Sequence, residues 1–71
     1  MSALINKKFF DRMGEAYRRA SIDVENIVYG CCENVEVVIV TFVDGSDIKV
    51  DVSGLSINEM AAMVTTAIAA H

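Results

Sequence analysis

Histidine occurs once, at His71, and cysteine twice, as the adjacent pair Cys31 and Cys32. A zinc site needs about four ligands at characteristic spacing, and a thiol nucleophile needs a base held beside it. This inventory supplies neither, and His71, as the last residue, is expected to fray. No GxGxxG, phosphate-cradling glycine loop or GxSxG element is present, so nothing points to nucleotide or hydrolase chemistry. Asp44-Gly45-Ser46-Asp47 lacks the alternating acids and distal glutamate of a calcium loop and reads as a turn. Paired carboxylates could meet across a hairpin only as Glu36 with Asp51 or its neighbours. The residues nominate no catalytic group, no metal ligand and no cofactor, and a non-enzyme is expected.

Long apolar runs are also missing. The longest, Val37 to Val43, is seven residues including Thr41, against the ~20 that a membrane-spanning helix needs. The N-terminal residues Met1 to Lys8 show no apolar stretch followed by a small-residue cleavage site, so they do not read as a signal peptide. A cytoplasmic location and no membrane partner are the expectations. A disulfide between neighbours would need a strained ring, and the two thiols read as reduced cysteines in a turn after Gly30.

What is present is a greasy, acidic chain of 71 residues, 54% hydrophobic and 23% charged, with formal charge −4. Residues 1–71 read as one small domain, too short for a two-domain enzyme and too apolar for a solvated tail. A monomer of this size buries only about 60% of the surface its unfolded chain exposes. Its core is marginal unless a second subunit helps.

Apolar residues recur at Ile5, Phe9, Met13, Ala16, Tyr17 and Ala20, with charges on the other side, which predicts an N-terminal amphipathic helix. The period runs on through Val24, Ile27 and Cys31. Ser21 and Asp23 favour caps, so the reading is a break or bend near Ser21 and a short second helix ending at Gly30. Gly14 costs a helix interior roughly 1 kcal/mol relative to alanine unless another backbone packs closely there. It reads as a sign of close helix contact. The β-branched runs Val35 to Val43 and Ile48 to Val52 flank Asp44-Gly45-Ser46-Asp47 and predict a β-hairpin. With a two- or four-residue loop, Val37, Ile39, Thr41 and Val43 share the core face with Ile48, Val50 and Val52. Val38, Val40 and Phe42 then form an apolar strip on the opposite face, beside Glu36, Asp47, Lys49 and Asp51; a three-residue loop would break this argument. Ser56 and Glu59 form a capping box, with Leu55 and Met60 at the staple positions, and open a C-terminal helix running nearly to His71. Glu59 is its only charged residue, and Met63 lies on the side away from Ile57, Met60 and Val64. A helix without an outer charged face is expected to be covered on more than one side.

The fold class expected is therefore α+β: helix, hairpin, helix. Two strands alone are marginally stable in water, so completion by homodimerisation is expected, as a continuous four-stranded sheet or through Val38, Val40, Phe42 and Met63.

Charge is unevenly spread. Residues 1–20 carry five cations (Lys7, Lys8, Arg12, Arg18, Arg19) against two acids, a net of +3; residues 21–71 carry Lys49 against eight acids, a net of −7; together they make the −4. Mixed charge can simply keep a greasy domain soluble. The sharper expectation is a non-enzymatic protein-binding module whose acids Glu36, Asp44, Asp47 and Asp51 dock on a basic surface of a partner, such as a nucleic-acid-binding protein, and occlude it. In size, acidity and lack of catalytic groups the chain resembles the small acidic inhibitors, including nucleic-acid mimics, that bacterial viruses use against host proteins. The alternatives are a structural or assembly subunit, and a nucleic-acid binder using Lys8, Arg12 and Arg19. Direct nucleic-acid contact is disfavoured by the chain's acidity.

Overall fold

In the computed structural model, which describes residues 2–20 and 23–71, five elements follow one another: α1 (Ser2–Arg19), β1 (Val24–Cys32), β2 (Val35–Phe42), β3 (Asp47–Asp51) and α2 (Ile57–Ala70). The chain is α+β. The strands make one antiparallel sheet in the order β1-β2-β3. Both helices contribute to a single core with one face of that sheet, α1 lying mainly over β1 and α2 reaching β3.

α2 begins as its cap residues dictate. The Glu59 backbone N–H donates to Ser56 Oγ at 3.2 Å, and the Ser56 N–H donates to Glu59 Oε1 at 2.9 Å. These reciprocal bonds satisfy two backbone donors that a helix start leaves open. Met60 and Val64 then reach the core.

α1 is rolled relative to the face that the spacing predicted. Phe10 is fully buried and Met13 and Tyr17 pack beside it, whereas Ile5 is 63% and Phe9 39% exposed. Gly14 explains the roll. A Cβ at this position would stand 3.1 Å from the backbone nitrogen of Ile27, so a side chain here would push the helix and β1 apart by a few tenths of an ångström, and glycine lets the two seat this closely. The close contact marked by Gly14 is thus with a strand. Seating it there turns Phe10, four residues earlier, onto Tyr29, with ring centroids 6.1 Å apart and planes nearly parallel.

The second helix expected up to Gly30 is instead strand β1, and the bend expected near Ser21 falls outside the described residues. A bulge created the helical spacing. Val24 pairs with Phe42, but Asn26 pairs with Thr41, so Glu25 is an extra residue and Val24 and Ile27 both point inward three apart. Beyond the bulge the alternation is regular, with Ile27 and Tyr29 buried. The third strand removes the argument that a bare hairpin must borrow strands from a second copy.

The β2–β3 turn reverses the expected core face. The Phe42 N–H donates to the Ser46 carbonyl at 2.8 Å and the Gly45 N–H to the Phe42 carbonyl at 3.0 Å, leaving the three-residue loop Val43-Asp44-Gly45. Gly45 has φ +93°, the left-handed residue that such a loop requires. Val38 consequently opposes Val50 and Val40 opposes Ile48. Val38, Val40 and Phe42 are buried core residues, not an exposed strip for a partner. Val37, Ile39 and Thr41, the expected core set, point away from the helices, and Val43 lies in the exposed loop.

This parity predicts a contrast between neighbours. Val40→Asp places an unpaired charge in the core and should abolish cooperative thermal unfolding by circular dichroism. Ile39→Asp, on the opposite face, should keep a cooperative transition.

Candidate functional site

The four acids expected to form a docking surface separate into two groups. Glu36 lies on the helix-covered side of β2, half-buried. Its Oε2 accepts from the Tyr29 hydroxyl at 2.5 Å and its Oε1 from the Gly54 N–H at 3.0 Å, while its own N–H donates to Ser53 Oγ at 2.8 Å. Asp44 Oδ1 accepts from both the Ser46 N–H (2.9 Å) and the Ser46 hydroxyl (2.6 Å). Asp51 Oδ1 accepts from the Ser53 N–H at 2.9 Å. These three carboxylates hold turns and strand ends together. Asp47 is exposed and carries no such duty among the described residues.

Their proton affinities follow from these bonds. The Tyr29 hydroxyl, and then the Gly54 N–H, hold the Glu36 carboxyl below its ordinary value. Asp44 is lowered by the Ser46 hydroxyl and N–H, and Asp51 by Ser53. Tyr29 moves the other way, to about 12, first because burial disfavours the phenolate and then because Glu36 accepts its proton; the neighbouring Asn6 side chain opposes the rise. Asn6 is itself buried beside this network.

His71, expected to fray, is folded back against the β2–β3 turn. Its ring stacks on Phe42 with centroids 3.8 Å apart, and its Nε2 lies 3.2 Å from Ser46 Oγ. The resulting row, Asp44–Ser46–His71, differs from a catalytic triad because the carboxylate holds the serine and does not orient the histidine. Cys31 and Cys32 are exposed free thiols at the end of β1, in place of the turn expected there. Among the described residues no cluster of three metal-ligating side chains forms, and no helix is long and apolar enough to cross a membrane.

The surface that the fold leaves open is the sheet face turned away from the helices. Its cross-strand rows are Asn26–Thr41–Asp47, Val28–Ile39–Lys49 and Gly30–Val37–Asp51, with Val35 opposite Cys32 beyond them. Val28 is 41% and Val35 54% exposed, and Val37, Ile39 and Thr41 are only half-buried. An apolar field on β1 and β2 is thus bordered by the β3 row Asp47, Lys49, Asp51. The hydrophobic alternation contained this face, but only the loop length says which alternate set is outside. Met63, the remaining expected contact, is 44% exposed on α2, away from this sheet face.

A second open surface lies on α1. Opposite its core residues run Leu4, Lys8, Arg12, Glu15 and Arg19, with Ile5 and Phe9 on the flank, all exposed; Ile5, Lys8, Phe9 and Arg12 line a shallow groove. Among the described residues the only ion pair is Lys7–Asp11, at 3.3 Å. The other α1 cations have no carboxylate within 4.0 Å among the described residues.

No family model, curated protein or solved structure matches the chain.

The Tyr29–Glu36 bond gives a pH test. A carboxylate with a depressed folded value stabilises the fold above its unfolded value, about 4.3 for glutamate, and that contribution is lost as pH falls through the folded value. Glu36→Gln should therefore lower the urea midpoint most near neutral pH, and the gap from the parent protein should narrow as the pH falls below about 4. A gap that is constant with pH would show that the charge of Glu36 contributes nothing.

Proposed function

We propose that the protein is a non-enzymatic binding module that docks on a protein surface through the helix-free face of its sheet. The observation that carries this reading is the exposure of Val28 and Val35 together with half-buried Val37 and Ile39, beside Asp47 and Asp51, on a face that neither helix covers. Contiguous apolar surface rimmed by polar groups marks interaction sites on small soluble domains. The partner surface that suits it has an apolar centre and cations placed to meet the β3 acids, because complementary potentials orient docking and raise its rate.

The surface differs from the one that sequence alone suggested. Glu36 and Asp44 spend their lone pairs inside the fold, and Asp51 shares its own with Ser53. Lys49 interrupts the remaining acids. A close mimic of regularly spaced phosphates gains no support from this arrangement, whereas apolar docking with an acidic border does. Occlusion of a partner's nucleic-acid site would then follow from steric cover by the bound domain.

A structural or assembly role is the second reading, favoured by the outer edges of β1 and β3, which pair with no further strand among the described residues. Such edges can add strands from neighbours.

Tagged protein, beside Ile39→Lys and Asp47→Lys variants, should separate these readings in pull-downs from nuclease-treated lysate. Docking through the sheet face predicts that a basic protein is captured by the parent chain, released at high salt, and recovered at least tenfold less by each variant. Equal recovery by all three baits would retire the sheet face as the docking surface.

A further inference from the structure

We propose that the partner of the bare sheet face is a second copy of this chain, docking through the outer side of its α1, so that copies associate head to tail. The inference rests on the sheet-face reading above and names its occupant. Three observations on opposite layers of the molecule carry it.

The first is charge complementarity within one sequence. The α1 segment is net +3 and the remainder net −7. The outer side of α1 presents Lys8, Arg12 and Arg19 against Glu15, and none of these three cations has a carboxylate in contact among the described residues; the sheet face presents Asp47 and Asp51 against Lys49, with Glu25 exposed at the β1 bulge. The helix side is thus net cationic and the sheet side net anionic.

The second is apolar matching. Leu4, Ile5 and Phe9 stand exposed next to Lys8 and Arg12, and Val28, Val35, Val37 and Ile39 stand exposed or half-exposed next to the β3 acids. Burying either set alone against water-soluble surface would waste the other. Joining them desolvates both.

The third is size. Eighteen helical residues span about 27 Å at 1.5 Å per residue, and the eight residues of β2 also span about 27 Å at 3.4 Å per residue. One α1 therefore lies along the full length of the open face. The sheet then has a helix layer on both sides, its own helices on one and the neighbour's α1 on the other.

Geometry fixes the symmetry. The donor surface is on the helix layer and the acceptor surface on the opposite layer, so one pair of copies cannot satisfy both contacts about a twofold axis. The contact is heterologous and propagates as an open stack or closes as a ring. Because exposed charges beyond about 8–10 Å are screened at ordinary salt, association should weaken as ionic strength rises.

The test uses two full-length variants. A helix-side variant, Lys8→Gln with Arg12→Gln, keeps the sheet face; a sheet-side variant, Ile39→Lys with Asp47→Lys, keeps the helix face. Circular dichroism first establishes that both fold, and single Arg12→Gln and Asp47→Lys variants stand in for either that does not. In sedimentation velocity at low salt, the parent chain should form species larger than twice 7.7 kDa as concentration rises, and return to 7.7 kDa in 0.5 M salt. Each variant alone should stay at 7.7 kDa. Their equimolar mixture should give a single species of twice that mass, because one intact helix face meets one intact sheet face and the chain of contacts stops there.

A parent chain that stays at 7.7 kDa at every concentration overturns the inference, as does a dimer that the mixture does not restore, which would be a twofold contact. Binding of the parent, but not of the helix-side variant, to anionic phospholipid vesicles or to duplex DNA without self-association would assign the α1 face to those ligands and also overturn it. If the chain is monomeric yet captures another protein through Ile39 and Asp47, the sheet-face reading stands and only its occupant changes. If the sheet-side variant alters neither self-association nor capture, the sheet-face reading itself fails.

Discussion

The turn at Val43-Asp44-Gly45 governs the rest of the molecule. Strand side chains alternate with period two, so adding or removing one loop residue moves a whole strand's apolar set to the other face. With three loop residues, Val38, Val40 and Phe42 join Ile48 and Val50 on the side where both helices sit. Asp44 holds that loop length by accepting two bonds from Ser46, and Gly45 supplies the positive φ that closes it. His71 stacks on Phe42 and reaches Ser46, so the end of α2 is anchored to the same turn.

At the other end of the sheet a polar group does comparable work. Tyr29 from β1, Glu36 from β2 and Gly54 after β3 share one carboxylate, and Ser53 bonds the backbone of Glu36. Three successive segments are thereby tied at the rim of the core. This use of Glu36 explains why an acid sits on the covered side of a strand otherwise lined by valine and phenylalanine: it replaces the water that its neighbours' donors would need. The acidity of the chain is partly structural for the same reason. Glu36, Asp44 and Asp51 are committed within the fold, and the charge left for partners is smaller than the composition suggests.

Much of this was legible in the residues. The capping box at Ser56 and Glu59 and the apolar spacing of Met60 and Val64 identified α2, because its signals are local and its pattern uninterrupted. The charge segregation of α1 was equally visible, but its roll was not, since the close approach of Gly14 to Ile27 depends on a strand elsewhere. Strand β1 was hidden by its bulge at Glu25, which imitates helical spacing, and by a turn whose first residue, Glu33, adopts φ +56° without being glycine. The sheet faces were half legible: the two alternating sets were plain, and their assignment hung on a loop one residue different from the two- or four-residue lengths assumed. The surface nominated for binding consequently moved from Val38, Val40 and Phe42 to Val28, Val37 and Ile39.

The resulting molecule is covered on one side and bare on the other, and its proposed role follows from that asymmetry. A sheet of three strands with an apolar outer face gains most by acquiring a second layer. The measurement that tests the asymmetry most directly is the relaxation of assigned side-chain protons by a soluble, uncharged paramagnetic probe, in dilute protein at 0.5 M salt. The account predicts strong relaxation of the Val28, Val35 and Ile39 methyls and weak relaxation of those of Val38, Val40 and Val64. Equal relaxation of the two sets, or protection of Ile39 with exposure of Val40, would contradict it.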